Sequence, residues 1–216
     1  MSESRNKILE AIQSSRVVLN EESEVIEQSA AELLTDSIVA RPALLHDQAD
    51  EAFVQRIQQG LVVGCSCHEI QHIELLPQAV AEYLSYSQLP PEIALQKVDQ
   101  FNVLDWHGID TDIQVESDGS VAVCLAESGI AETGSVVVKS SSDMPILMNF
   151  LSSYQIYVIE RSQIMAYLDD FAVQEAARVT ARNCCLITGA SGTTDIEGVL
   201  VTGAHGPQAV HVIIVG

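Results

Sequence analysis

Basic residues are scarce in this 216-residue chain: 10 Lys and Arg stand against 30 Asp and Glu, a formal charge of −20 with histidine neutral. Binding to DNA, RNA or an anionic lipid surface rests on clustered Lys and Arg, so the charge balance argues against nucleic acid and membrane partners. Long apolar runs are missing too. No stretch approaches the ~18 consecutive apolar residues of a membrane-spanning helix. The opening MSESRNKILEAIQ is polar and lacks the apolar core of a secretory signal. The expectation is a soluble, cytoplasmic protein. Disorder is excluded from the other side, because 47% of the residues are hydrophobic. A chain of about 200 residues buries roughly 70% of its unfolded surface and needs no disulfide or metal to fold.

Cysteine is present but in the wrong number and spacing for a framework. An odd count of 5 without a secretory signal speaks against disulfides. In LVVGCSC, strand alternation puts Cys65 and Cys67 on one face, with His68 on the other if the strand continues. Two thiolates fall short of the four ligands of a zinc site or the longer cysteine run of an iron–sulfur site. Cys184 and Cys185 are neighbours in a strand-like run and point to opposite faces. Cys124 stands alone. Buried cysteines acting as small hydrophobes are the simpler reading, with no metal expected.

Periodicity organises what is present. Ile8, Leu9 and Ile12, then Ile26, Ala30, Leu33 and Leu34, recur at helical spacing with acidic residues opposite. Pro42 interrupts, and DEAFVQRIQQG places Ala52, Phe53 and Ile57 on one stripe before a glycine stop at Gly60. This predicts a helical arm over residues 1–60 and an α/β domain over 61–216. Within the latter, LVVGCSC is a β-rich run and LLPQAVAEYLSY an amphipathic helix with Pro77 near its start. EIALQ, DIQVES, SVAVCLAES, GSVVVKSS, QIYVIE, CCLIT and HVIIV read as strands. MPILMNFLSS and QIMAYLDDFAVQEAAR read as helices, the second with Ile164, Leu168 and Phe171 on its stripe. Alternating helices and short β-branched runs predict a mostly parallel sheet covered on both faces.

Ligands in such sheets bind where strand ends meet loops, and three glycine-containing segments are candidates: GIAETG (129–134), GASGTTDIE (189–197) and GAHGP (203–207). In the second, two glycines allow a tight turn, and Thr194-x-x-Glu197 has the form of a capping box opening a helix. Backbone N–H groups and a helix N-terminus there would cradle an anion. The equal alternative is a capped helix start packed against the sheet, and Asp195 and Glu197 would repel an anion. There is no Walker A lysine. His205, on a turn stiffened by Pro207, is a candidate general acid or base; its plainer role is a turn histidine bonding a carbonyl. Glu132, between two strands, is a candidate base or nucleophile, or a solvated or capping carboxylate. No Ser–His–Asp or HxxxH arrangement is visible along the chain.

Taken together, GIAETGSVVV and ITGASGTTDIEGVLVTGAHGPQAVHVIIV resemble the LUD-domain family, and within it the lactate utilization protein C branch. The likeness extends upstream through LDWHGI (104–109) and AFVQRIQQ…LPQAVAEYL (52–84), so it covers nearly the whole chain. It implies a three-layer α/β/α domain similar to the sugar-phosphate isomerase and CoA-transferase-like superfamily. It also implies a role in oxidising L-lactate to pyruvate beside iron–sulfur partner proteins, with the clusters in those partners and no cofactor in this chain. The resemblance marks Glu132 and His205 as catalytic candidates. Thr133, Gly134, Ser191, Gly192, Thr193, Thr194, Asp195, Glu197 and Gly206 are candidates for binding a small anionic ligand. Two places depart from the family pattern: Gly192, where a basic residue is usual, and Asp143-Met144-Pro145, where another is usual before the apolar helix. An independent small-molecule enzyme of CoA-transferase-like or sugar-phosphate isomerase-like type and a non-catalytic interaction subunit are the competing functions.

Overall fold

The computed structural model describes residues 7, 10–11, 46–115, 119–141, 146–176, 181–194, 200–203 and 205–216. The chain divides into two units, Met1–Ala43 and Leu44–Gly216. In the first, the described residues Lys7, Glu10 and Ala11 are helical. All elements below belong to the second.

Helix α1 (Ala49–Gln58) buries Phe53 and Ile57 of the predicted stripe, leaves Ala52 half-buried and buries Val54 as well. It stops as a Schellman turn: Gly60, at φ +70, donates its N–H to the Ile57 carbonyl and Leu61 donates to Arg56. Strand β1 (Cys65–Ile70) follows, then α2 (Leu76–Tyr86) with Pro77 in its first turn. Next come β2 (Ala94–Leu95), the one-turn α3 (Asp99–Asn102), β3 (Val121–Leu125), β4 (Ser128–Ile130) and β5 (Ser135–Lys139). The short α4 (Met148–Leu151) leads into β6 (Tyr154–Glu160), β7 (Ile164–Met165) and α5 (Leu168–Ala176). The chain finishes with β8 (Cys184–Ile187), β9 (Gly192–Thr194), β10 (Leu200–Thr202) and β11 (Ala209–Val215).

The main sheet has the order β1-β11-β6-β3-β2 and is parallel throughout. This is the expected α/β fold with a mostly parallel sheet flanked by helices. The inner strands β3, β6 and β11 are largely apolar on both faces because both faces are covered, whereas the edge strand β1 exposes Ser66, His68 and Glu69. One face packs Val121, Val123, Ile156, Val158 and Ile213 against Leu76, Val80 and Leu84 of α2. The other packs Ala122, Cys124, Tyr157, Ile159, Val212 and Ile214 against Phe53 and Ile57 of α1. That second face also carries a smaller sheet of order β7-β4-β5-β8, which contributes Val136, Val138 and Ile187. Phe171 of α5 closes the far side of the smaller sheet on Ile130 and Val137.

Two local expectations differ from the structure. Gly192–Thr194, at the end of the glycine loop, pairs antiparallel with Leu200–Thr202. Asp195 and Glu197, with the helix expected from Asp195, lie outside the described residues. Ile164 leaves the predicted helical stripe for β7, where it pairs with Gly129. In DIQVES, the described residues 112–115 contribute a single bridge, Asp112 to Ala94.

Phe53 is fully buried and wedged beside Gly129, where an added Cβ would meet its ring at 3.3 Å. Phe53→Ala should lower stability by about 3–5 kcal/mol, read as a shift in the urea unfolding midpoint at unchanged slope. A loss under 1 kcal/mol would show that α1 is not part of this core.

Candidate functional site

Parallel strands end together, and their carboxyl ends open onto whatever loops follow. Here the ends of β2, β3 and β6 deliver Gln96, Leu125, Ala126, Val158 and Glu160 to one rim. Lys139 at the end of β5 faces them with Glu127 and Gln163 across a cavity of about 250 Å³. This is below the 300–1,000 Å³ range of drug-sized pockets, a size suited to a metabolite of few heavy atoms.

Each polar group in the cleft is positioned by backbone geometry. Lys139 pairs with Cys184 across the small sheet, and its side chain is only 18% exposed. Its ammonium lies 3.2 Å from Glu127 Oε1 and 5.7 Å from the centre of the Phe171 ring. Carboxylate and aromatic face hold the cation at the rim. Gln96 is buried, and its Oε1 accepts the Leu125 N–H at 2.8 Å, so its amide NH2 is the group left for a ligand. Glu160 caps the turn Arg161–Gln163, and its own N–H donates to Gln163 Oε1 at 3.3 Å. The cleft thus sets one ammonium among carboxylates and amides. A hydroxy acid matches that set: its carboxylate suits Lys139 and its hydroxyl suits a carboxylate acceptor.

The three glycine motifs gather elsewhere, around Leu61–Gly64, the segment entering the amino end of β1. Glu132, half-buried, sits in the β4–β5 turn and donates its N–H to Ala166 at 3.0 Å. Arg56 Nε donates to the Ala131 carbonyl of the same turn at 3.0 Å. Thr133 Oγ1 lies 2.7 Å from Ser135 Oγ, which lies 2.6 Å from Thr188 Oγ1, so a hydroxyl chain ties the first motif to the second. Ala190 donates to the Val63 carbonyl, Ser191 donates to Pro207, and Gly203 donates to Ser191, tying the second to the third. Gly134 and Gly189 serve close approach. Both have positive φ, and an added Cβ would come within 2.6 Å of Val62 Cγ2 at the former and 2.3 Å of the Val63 oxygen at the latter. Gly192 and Thr193 are exposed on β9, Thr194 is in the same strand, His205 is exposed, and Gly206 packs beside Ser191. None of these residues lines either cavity described here.

A second cavity, of about 230 Å³, lies on the α2 side and is lined by Ser66, His68, Ala79, Glu82, Tyr83, Tyr86 and His211. Ser66 Oγ and His211 Nδ1 are 2.8 Å apart. The imidazole stacks on Tyr83 with ring centres 4.3 Å apart and planes at 19°. Burial, then the neighbouring His68, pushes the His211 pKa down to about 4.

Three of the thiols, Cys65, Cys67 and Cys124, are held in the protonated form by their environment. Burial, then the neighbouring Cys67, pushes Cys65 up to about 12; burial alone raises Cys124 to about 12. Burial and Glu69 raise Cys67. Protonated thiols are poor metal ligands and poor nucleophiles. Among the described residues no three His, Cys, Asp or Glu side chains cluster as a metal site. Nor is any described helix long and apolar enough to cross a membrane.

The profile of the LUD domain matches residues 3–215. The chain belongs to the LUD-domain family. This LUD domain is 33% identical over 111 residues to lactate utilization protein C of Bacillus subtilis, covering 49% of this chain and 46% of that one. It is 33% identical over 108 residues to the Escherichia coli protein YkgG, covering 47% of each. The chain therefore spans about half the length of these curated relatives. In structure it is similar to a DUF162 family protein from Deinococcus radiodurans, with a TM-score of 0.58 at 19% identity, over 80% of this chain and 99% of that one. That likeness concerns the fold.

Sequence reasoning missed Lys139, Glu127, Gln96 and Ser66–His211. The cue for Lys139 was a cation ending the apolar run SVVVK. Ser66 and His211 stand 145 positions apart, and only strand pairing joins them.

The low pKa of His211 has a consequence for stability. The unfolded chain takes up this proton near pH 6.5 and the folded one only near 4. The unfolded state therefore binds more protons in that window, and stability falls as pH drops from 6.5 toward 4. The contribution is up to about 3 kcal/mol. Urea unfolding of His211→Gln should show a shallower loss over that window than the parent; parallel profiles would place the imidazole in a solvated setting.

Proposed function

We propose that this LUD domain serves L-lactate utilization, as one component acting beside iron–sulfur partner proteins that carry the electrons from lactate oxidised to pyruvate. One observation carries the reading: membership of the family together with 33% identity to lactate utilization protein C of Bacillus subtilis over about half of each chain. The carboxyl-end cleft supports it chemically. Lys139 offers a cation to the carboxylate of a 2-hydroxy acid, and Glu127 or Glu160 offers an acceptor to its hydroxyl. Cys65, Cys67 and Cys124, whose pKa values are raised, suit a division of labour in which clusters sit in the partners. The signature residues Glu132, Thr133, Gly134, Ser191 and Gly206 then act as the joint that holds the β4–β5 turn, the glycine loop and the β1 entry together. In this reading Glu132 and His205 have no part in the lactate cleft.

A host lacking this gene should grow poorly on L-lactate as sole carbon source and normally on pyruvate, with growth restored by the gene in trans. Normal growth on L-lactate, with no second copy present, would remove the proposal. For the cleft, Lys139→Ala should weaken binding of L-lactate to the purified chain at least about tenfold by titration calorimetry, a loss near 1.4 kcal/mol. Unchanged affinity would move the ligand away from this rim. Glu132→Ala and His205→Ala, by contrast, should leave that affinity within about twofold.

A further inference from the structure

We propose that Ser66 is a nucleophile toward small activated acyl esters and thioesters, with His211 as the base that receives its proton, in a second site independent of the lactate reading. The two side chains come from adjacent parallel strands at directly paired positions, Ser66 opposite His211. They therefore rise from the same face of the sheet, and Ser66 Oγ meets His211 Nδ1 at 2.8 Å, within the reach of a nucleophile–base pair. A base must also be held in orientation. Here the stack on Tyr83 fixes the plane of the imidazole from above, while Val210 and Val212 on either side pack into the opposite face of the sheet.

Access is one-sided in the way the chemistry needs. His211 is 6% exposed, whereas Ser66 is exposed and opens on the cavity of about 230 Å³. Burial keeps the imidazole neutral at physiological pH, so in the tautomer with its proton on Nε2 the Nδ1 lone pair accepts from the Ser66 hydroxyl. Ala79, Tyr83 and Tyr86 supply an apolar wall for a short acyl chain, with His68 and Glu82 at the polar side. The backbone supplies a donor as well. The Gly64 carbonyl accepts from Val210 and the Ile70 carbonyl accepts from Gly216, so the even-numbered residues of β1 turn their backbone groups toward β11. The odd-numbered ones turn away from β11, which puts the Cys67 N–H on the outer side of this edge strand, next to Ser66, where a developing oxyanion can meet it.

The step balances without a cofactor. Ser66 Oγ bonds to the acyl carbon as its proton passes to His211 Nδ1. The carbon–oxygen or carbon–sulfur bond to the leaving group breaks, and the departing alcohol or thiol takes the proton from His211. Water, deprotonated by the same nitrogen, then releases the acid and restores Ser66.

The full chain treated with a fluorophosphonate should gain one adduct, located at Ser66 by peptide mass analysis, and should release p-nitrophenolate from p-nitrophenyl butyrate. Ser66→Ala, a change at an exposed position that leaves the circular dichroism spectrum unaltered, should abolish the adduct and lower release about 100-fold or more. His211→Gln should slow labelling at least about tenfold; Ser66→Cys should restore acylation as a thioester. No adduct on the folded chain, an adduct on another residue, or equal release by Ser66→Ala would each overturn the assignment and leave Ser66 as the polar partner of a buried histidine.

Discussion

Burial of β6 on both faces and both edges is the constraint from which the rest follows. Tyr154–Glu160 bonds to β11 on one side and β3 on the other, and Gln155 to Ile159 are shielded from solvent. A parallel strand in that position has no wet face, so every side chain on it must find protein. Ile156 and Val158 meet α2, while Tyr157 and Ile159 meet α1 and the smaller sheet. Ser152 Oγ donates to Gln155 Oε1 at 2.6 Å and the Tyr157 hydroxyl donates to Asn149 at 3.1 Å, while the buried Gln155 Nε2 has no hydrogen-bond partner among the described residues. Covering two faces and two edges leaves the strand ends as the exits, and the chain uses them differently.

At the carboxyl ends, side chains of different strands converge but do not close, and the result is the polar cleft with Lys139. At the amino ends of β1 and β11 the backbone itself closes. Gly134 and Gly189 admit Val62 and Val63 to distances that a Cβ would forbid, and hydroxyls and amides stitch the approach. Arg161 ties the carboxyl-end side in another way. It bonds Asp50 of α1 at 2.8 Å, Glu69 of β1 and the carbonyl of Gly216, so one guanidinium spans the entry helix, the edge strand and the chain end. The pair holds Asp50 below the usual carboxylate range. Rigidity at the amino end and an open rim at the carboxyl end are two outcomes of the same parallel order.

The elements with a strong period were legible. The Phe53–Ile57 stripe, the helix from Leu76, the apolar runs of β3, β5, β6 and β11, and the glycine stop at Gly60 all occur where spacing puts them. In TTDIE, Thr193 and Thr194 pair with Val201 and Leu200, and the helix expected from Asp195 lies outside the described residues. A misreading arose where local and long-range preferences compete. QIMAYL has a helical stripe, yet Ile164 pairs with Gly129 before the helix begins at Leu168. The motifs at 129–134, 189–192 and 203–207 were legible as special backbone, since glycine at such spacing marks tight turns. Their joining through Val63, Ser191 and Thr188 was not, because hydrogen bonds between distant loops leave no period.

By itself the sequence determined the α/β class, the family, the acidic character that disfavours nucleic acid, and the unclustered thiols, because composition, period and spacing are properties of neighbours along the chain. The tertiary structure alone decided which strand ends share a rim, which lysine faces Glu127, and that Ser66 meets His211. Those follow from the order of strands in the sheet, and strand order is set by the burial of whole faces, a quantity that no local stretch of residues encodes.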